Sequence, residues 1–328
     1  MVSGFLGAGK TTFIKRLVEN GKDKGRTIII ENEFGEIGID GGFLKNSGIE
    51  IKEMNSGCIC CSLAGDFEAS LRELLKDYAP NRVIIEPSGV GKLSDVLKAV
   101  SDVEKDLEVE SNSAVTVVDV KKCKMYMKNF GEFFNNQIQF ANTIILSRTD
   151  LADNKKIEEA VALIKEVNPE AIIVTTPLDK LSDEKIEELL SKPIDLKSEL
   201  LEELAKEHEH HHHHDEHCEH EHHHHGEHCE HDHHHADDVF DSWGMEQVPA
   251  ISEDKLKSIL NDFSNEEKYG VILRAKGMVK DADSDDWFYF DLVPGENDIR
   301  RGDAEYTGKV CVIGAGLKSE ELEKCFRV

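Results

Sequence analysis

Eight residues near the start, Gly4-Phe5-Leu6-Gly7-Ala8-Gly9-Lys10-Thr11, match G-x-x-x-x-G-K-[ST] in full. In such a loop glycines let backbone amides turn inward around phosphate oxygens, the lysine neutralises the β/γ oxygens, and the hydroxyl that follows ligates Mg²⁺. A helical pattern runs from Thr11 to Asn20, and its N-terminal dipole would act on the same anion. Gly4, Gly7, Ala8, Gly9, Lys10, Thr11 and Thr12 are therefore expected around the phosphates of a nucleotide, with Lys10 also catalytic. A loop of this kind sits between a central strand and a helix. Only Met1-Val2-Ser3 precede Gly4. Either the first strand is cut short, or the chain start lies several residues inside the true one.

The next two hundred residues alternate between apolar runs and amphipathic helical patterns. Strands are expected at Arg26–Ile30, Ile49–Met54, Arg82–Glu86, Ala114–Asp119, Thr143–Ser147 and Ala171–Val174. Helices are expected at Thr11–Asn20, Phe67–Tyr78, Lys92–Val100 and Lys155–Val167, with further helices over 182–206. That alternation predicts a largely parallel sheet covered by helices on both faces. Near the C-terminus, strand candidates Val271–Ala275, Phe288–Val293 and Val310–Ile313 join helices near Asp254–Phe263 and Ser319–Phe326.

Between these regions lies a segment of different composition. All 17 histidines of the chain fall between His208 and His235. The segment 207–238 adds 11 acidic residues and two cysteines, and contains no Lys or Arg. With no apolar side chain larger than alanine or cysteine before it ends, it cannot build a core. It contains a near-repeat: the nine residues from Glu216 to His224 recur from Glu227 to His235. Imidazole suits Zn, Ni, Co and Cu, and thiolate favours softer or borderline ions. His217, Cys218, His220, His228, Cys229 and His231 are the expected ligands of the two copies. The expected architecture is α/β: a P-loop NTPase domain with a mostly parallel sheet over 1–206, a disordered metal-binding linker over 207–238, and a small α+β domain over 239–328.

The formal charge is −27, which argues against nucleic acid or an anionic membrane as main partner. No apolar run reaches the length of a membrane span, and no signal peptide precedes the first motif. Three of the eight cysteines crowd into Cys58, Cys60 and Cys61, too tightly for a disulfide framework. Reduced thiols and a cytoplasmic location are expected. Cys123, Cys311 and Cys325 stand alone and read as packing residues.

Gly57-Cys58-Ile59-Cys60-Cys61 follows a strand, and its spacing favours a metal site over buried packing. Together with the phosphate loop, Asn32-Glu33-Phe34-Gly35-Glu36-Ile37-Gly38-Ile39-Asp40, Glu86-Pro87-Ser88-Gly89 and Arg274-Ala275-Lys276-Gly277, it makes the chain resemble a CobW-type GTPase, a family related to the HypB and UreG metallochaperones. The resemblance implies a GTP-dependent chaperone delivering Zn²⁺ or Co²⁺ to a client metalloprotein. It further implies that Cys58, Cys60 and Cys61 bind the cargo and that Glu31–Asp40 is a switch. Glu86 would serve Mg²⁺ and its water, and Gly89 would be a flexible contact near the γ-phosphate. Independently of family, Glu86 ends an apolar strand where α/β ligands bind.

The family usually carries Asn-Lys-x-Asp for base recognition; here Ser147-Arg148-Thr149-Asp150 stands in that place. Asp150 can accept from guanine N1–H and the N2 amine, and Arg148 can lay its stem or planar head on the base. Asp119, ending another apolar run, is either a lining residue or a strand-end cap. GTP is expected over ATP. Two other functions fit the same residues: a metal store with a regulatory nucleotide domain, and a cobalt or nickel insertion factor for cobalamin biosynthesis or metalloenzyme maturation.

Overall fold

The computed structural model describes residues 1–20, 25–32, 50–54, 64–107, 109–190, 236–304 and 307–327. Cys58, Cys60 and Cys61, the switch segment beyond Asn32, and the tract ligands His217, Cys218, His220, His228, Cys229 and His231 lie outside the described residues.

Strand β1 (Val2–Gly4) is present with three residues and pairs parallel with β5 (Val115–Asp119), Val2 opposite Val115. Strands β6 (Thr143–Ser147) and β7 (Ile172–Val174) extend this ladder in the order β1-β5-β6-β7. A second parallel ladder places β2 (Thr27–Asn32) between β3 (Glu50–Met54) and β4 (Arg82–Glu86). Strand β4 touches β1 where the two ladders meet. At the start of β1 the Met1 amino group is buried, donates to the Ser113 carbonyl at 2.6 Å, and is pushed down to about 5 by burial and by Arg82.

Strands β2, β4, β5 and β6 have largely apolar interiors because helices cover both faces of the sheet. On one face α1 (Lys10–Asn20) buries Phe13, Ile14 and Leu17 against Ile29, Val117 and Ile145. On the other, α2 (Ala64–Tyr78) and α3 (Leu93–Glu104) bury Phe67, Leu71, Val96 and Val100 against Ile28, Ile30 and Ile85. The large buried apolar residues of α3, Leu93, Val96, Leu97, Val100 and Val103, recur at helical spacing and form one stripe. Helix α6 (Asn154–Val167) starts at Asp153, whose side chain accepts from the Lys156 amide, satisfying one open donor of the first turn. Two helices unanticipated from sequence, α4 (Cys123–Asn129) and α5 (Gly131–Gln139), follow β5. Of the helices expected over 182–206, α7 (Asp183–Leu190) is described.

The C-terminal domain is a five-stranded antiparallel sheet of order β11-β10-β9-β12-β8. Its strands are β8 (Asp241–Val248), β9 (Val271–Lys280), β10 (Trp287–Val293), β11 (Glu296–Gly302) and β12 (Gly308–Ala315). Helices Glu253–Asp262 and Ser319–Phe326 cover one face through Leu256, Ile259, Leu322 and Phe326. The other face contributes Leu273, Cys311 and Ile313 to the core of the N-terminal domain. Phe240, just ahead of β8, packs its ring 5.0 Å from that of Phe133 and 6.1 Å from that of Phe5 in the phosphate loop. Each such buried phenylalanine contributes about 1.5–3 kcal/mol; one cluster thus spans both domains, while the C-terminal sheet keeps a second core under its helices.

Candidate nucleotide site

The loop from Gly4 to Thr11 joins β1 to α1 in a conformation that needs glycine. Gly4 has φ +144°, and a Cβ there would lie 2.4 Å from the Val117 carbonyl oxygen on the neighbouring strand. Gly7 has φ +68°, and its Cβ would lie 2.4 Å from Cγ1 of Val293, which comes from the C-terminal domain. Lys10 opens α1 and is 6% exposed. Its ammonium donates to the carbonyls of Gly4 at 2.9 Å and Phe5 at 3.4 Å, and lies 3.9 Å from a Glu86 carboxylate oxygen. Lys10 and Glu86, far apart in sequence, are therefore brought together at the carboxyl end of the sheet. Thr11 is half-buried and Thr12 exposed in the first turn of α1. The Thr11 hydroxyl and the Glu86 carboxylate are hard oxygen donors, a set that fits Mg²⁺ and not a soft ion.

Beyond Glu86 the chain packs against the phosphate loop. A Cβ on Gly89 would lie 2.7 Å from Leu6 Cδ2 and 3.1 Å from the Leu6 amide nitrogen. The fully buried Gln137 donates its side-chain amide to the carbonyls of Gly89 at 3.1 Å and Gly91 at 2.8 Å. Gly89 is buried between Leu6 and Gln137, and glycine is required there for close approach.

The segment Ser147–Asp150 is tied to the phosphate loop directly: Ser147 Oγ donates to the Ala8 carbonyl at 2.7 Å. Arg148 has a left-handed backbone, φ +58°, a conformation uncommon for a residue other than glycine. Its guanidinium is paired with Asp119 through one nitrogen and with Glu296 Oε2, at 3.1 Å, through the other. Asp119 is buried, and its other oxygen accepts from the Lys121 amide at 2.9 Å. It therefore caps the strand end and also holds Arg148. Buried Lys122 lies 4.0 Å from Asp119, its ammonium without a hydrogen-bond partner and its pKa lowered by burial. Asp150 is exposed in the short 3-10 turn Thr149–Leu151. The Ser147 tether, the Gln137 clamp and Glu296 were all missed by sequence reasoning. Only Ser147 carried a signal, as a hydroxyl at a strand end beside the motif.

Cys123 and Cys311 are buried and Cys325 half-buried, consistent with packing roles. Among the described residues no group of three or more His, Cys, Asp or Glu side chains is arranged to hold a metal ion. No described helix is long and apolar enough to cross a membrane.

The family model for the CobW/HypB/UreG nucleotide-binding domain matches residues 1–175, and that for the cobalamin synthesis protein cobW C-terminal domain matches residues 240–328. The chain is 35% identical over 181 residues to the zinc chaperone CobW of Sinorhizobium sp, covering 47% of this chain and 51% of that protein. It is 31% identical over 150 residues to the zinc chaperone YeiR of Escherichia coli (strain K12), covering 46% of each. With the zinc-regulated GTPase metalloprotein activator 1 of Dictyostelium discoideum it shares 26% identity over 211 residues, 52% of this chain and 44% of that one. The chain spans about half the length of the curated relatives it matches. A phosphate loop closed by Lys10 and Glu86, with both family models matching in order, means that the chain belongs to the CobW/HypB/UreG family.

Proposed function

We propose that the protein is a GTP-hydrolysing metallochaperone that binds a transition metal, Zn²⁺ first and Co²⁺ next, and passes it to a client metalloprotein. The observation that carries the nucleotide half of this reading is the burial of Lys10 beside Glu86 at the mouth of a glycine-shaped loop. The loop carbonyls and Glu86 hold a charge that triphosphate oxygens would take over, and Lys10 would then neutralise the β/γ oxygens. Thr11 and Glu86 would hold Mg²⁺, which supplies charge neutralisation across the same oxygens. Glu86 would also orient the attacking water, Gly89 would lie against the terminal phosphate, and Arg148 and Asp150 would receive guanine. Catalysis of this kind is positioning plus charge stabilisation, so turnover without a partner is slow.

Relatives named zinc chaperones and a zinc-regulated GTPase metalloprotein activator support the metal half of the reading. In this chain, Cys58, Cys60 and Cys61 would bind the ion in transit, and the His-rich tract would be a reservoir feeding them. A cytoplasmic location would keep those thiols reduced. The 17 histidines of the tract also favour a second reading, a metal store in which the nucleotide domain is regulatory. Two variants test the leading one. Lys10→Ala should abolish GTP binding, while Glu86→Gln should retain binding and lose hydrolysis by at least about tenfold, equivalent to about 1.4 kcal/mol of barrier. Full hydrolysis by both variants would refute the site.

A further inference from the structure

The hairpin joining β10 to β11 meets the nucleotide site at both ends of its turn. Val293 and Glu296 are directly paired across it; Val293 packs on Gly7 of the phosphate loop, and Glu296 reaches the base-recognition segment. Between them lie Pro294 and Gly295, the latter with φ +82°. A proline-glycine turn closing a register-matched pair of strands holds its flanking residues in fixed places. Glu296 thus arrives preorganised, one oxygen 3.1 Å from Arg148 Nη2 and the other 3.6 Å from Lys121 Nζ.

We propose that Glu296 is a positioning residue of the nucleotide site: through Arg148 it sets the surface on which the guanine base rests, so base selection depends on the C-terminal domain. The proposal rests on reading Ser147–Asp150 as the base-recognition segment. Its physical basis is a count of charges. The cations of Arg148 and Lys122 share one buried carboxylate, Asp119, while the Lys121 ammonium lies against Glu296. Asp119 can hold one edge of the guanidinium but cannot fix its plane. Glu296 takes the other nitrogen, and two carboxylates on opposite nitrogens define the orientation of a planar fork. With both nitrogens engaged, the Arg148 stem is what remains to lie along a base, and its direction follows from where the fork is held. The ion pairs of Glu296 are with Arg148 and Lys121, outside the Gly4–Thr11 loop, so its effect should fall mainly on the base.

The test is a titration of the full chain with fluorescent GDP and ADP analogues, comparing wild type, Glu296→Gln, Arg148→Ala and the double variant. Glu296→Gln keeps the shape and removes the charge. The pair is partly exposed, so the expected loss in GDP affinity is about three- to fivefold. A base misplaced on Arg148 loses its Asp150 contacts, which adenine does not make, so ADP should lose less than GDP and the GDP-to-ADP preference should fall. Glu296→Gln should cause no further loss in the Arg148→Ala background, and its effect should shrink at 1 M salt, where the screening length is only about 3 Å. Equal losses for GDP and ADP, a loss undiminished in the Arg148→Ala background, or unchanged GDP affinity would overturn the positioning role while leaving nucleotide binding intact. Wild-type protein that binds neither analogue would overturn the nucleotide reading and this proposal with it.

Discussion

Alanine at position 7 should destabilise the protein in two separable ways, because Gly7 is constrained both by its own backbone and by a residue of the other domain. At φ +68° a Cβ costs about 1–2 kcal/mol through its clash with the local backbone. That Cβ would also sit 2.4 Å from Val293 Cγ1, more than 1 Å inside the contact distance of about 3.5–4.0 Å for carbon atoms. Forcing a methyl into such a site costs a further 1–3 kcal/mol or so. Gly7→Ala should therefore cost about 2–5 kcal/mol in all. Val293 is 6% exposed, and truncating it to alanine costs about 1.5–3 kcal/mol by itself. In the truncated background the Cγ1 clash is removed and the nearest atom is the remaining Cβ, at 3.3 Å, so most of the steric component is relieved and the two substitutions should couple by about 1–3 kcal/mol. Urea unfolding followed by tryptophan emission measures this directly, since Trp243 and Trp287 both lie in the C-terminal sheet. If Gly7→Ala costs the same with and without the Val293 methyls, the hairpin does not rest on the phosphate loop in solution, and the geometry behind the domain coupling is wrong.

Three further outcomes follow from the same structure. Ser147→Ala removes the 2.7 Å bond to the Ala8 carbonyl, worth about 0.5–1.5 kcal/mol; it should weaken GTP binding severalfold in a fluorescence titration, and wild-type affinity would show that the tether is incidental. Burial first, then Asp119 and Glu159, push the Cys123 thiol up to about 12 from 9.0. It should resist iodoacetamide at pH 8 in the native protein, and its contribution to stability, fully present below pH 9, should be lost as pH rises towards 12 and the unfolded thiol ionises; rapid native alkylation of Cys123, read by mass spectrometry, would contradict this. Removing residues 207–235, and stopping short of the buried Ala236, should lower zinc stoichiometry by about four or five ions while sparing GTP hydrolysis; unchanged stoichiometry would end the reservoir idea.

The fold was legible wherever burial shaped the sequence on its own. Strands β4 and β6 appear with the bounds expected, because Val83-Ile84-Ile85 and Ile144-Ile145-Leu146 are enclosed on both faces and read as unbroken apolar runs. Strands β8 and β11 were invisible for the opposite reason. They are the two edges of the C-terminal sheet, and Glu296-Asn297-Asp298-Ile299-Arg300-Arg301 is the polar, charged sequence that an exposed edge tolerates. Helices α4 and α5 were hidden by aromatic residues and by Gly131, whose local preferences do not favour helix; tertiary packing of Tyr126, Phe130 and Phe134 around Phe5 overrides them. The site divides in the same way. Lys10, Thr11 and Glu86 belong to contiguous motifs, each meaningful without its neighbours. Gln137 and Glu296 act through contacts made 46 and 148 residues away, and no local pattern encodes such a pairing.

The central claim is that metal and nucleotide chemistry are coupled in one chain. The direct test is GTP hydrolysis by metal-stripped protein, with and without stoichiometric Zn²⁺, Co²⁺ or Ni²⁺, and with ATP as control. The account predicts slow turnover of GTP over ATP, changed by the cargo metal, and a change that vanishes when Cys58, Cys60 and Cys61 are all replaced by alanine. Turnover indifferent to every metal, or a metal response that survives the triple replacement, would contradict it.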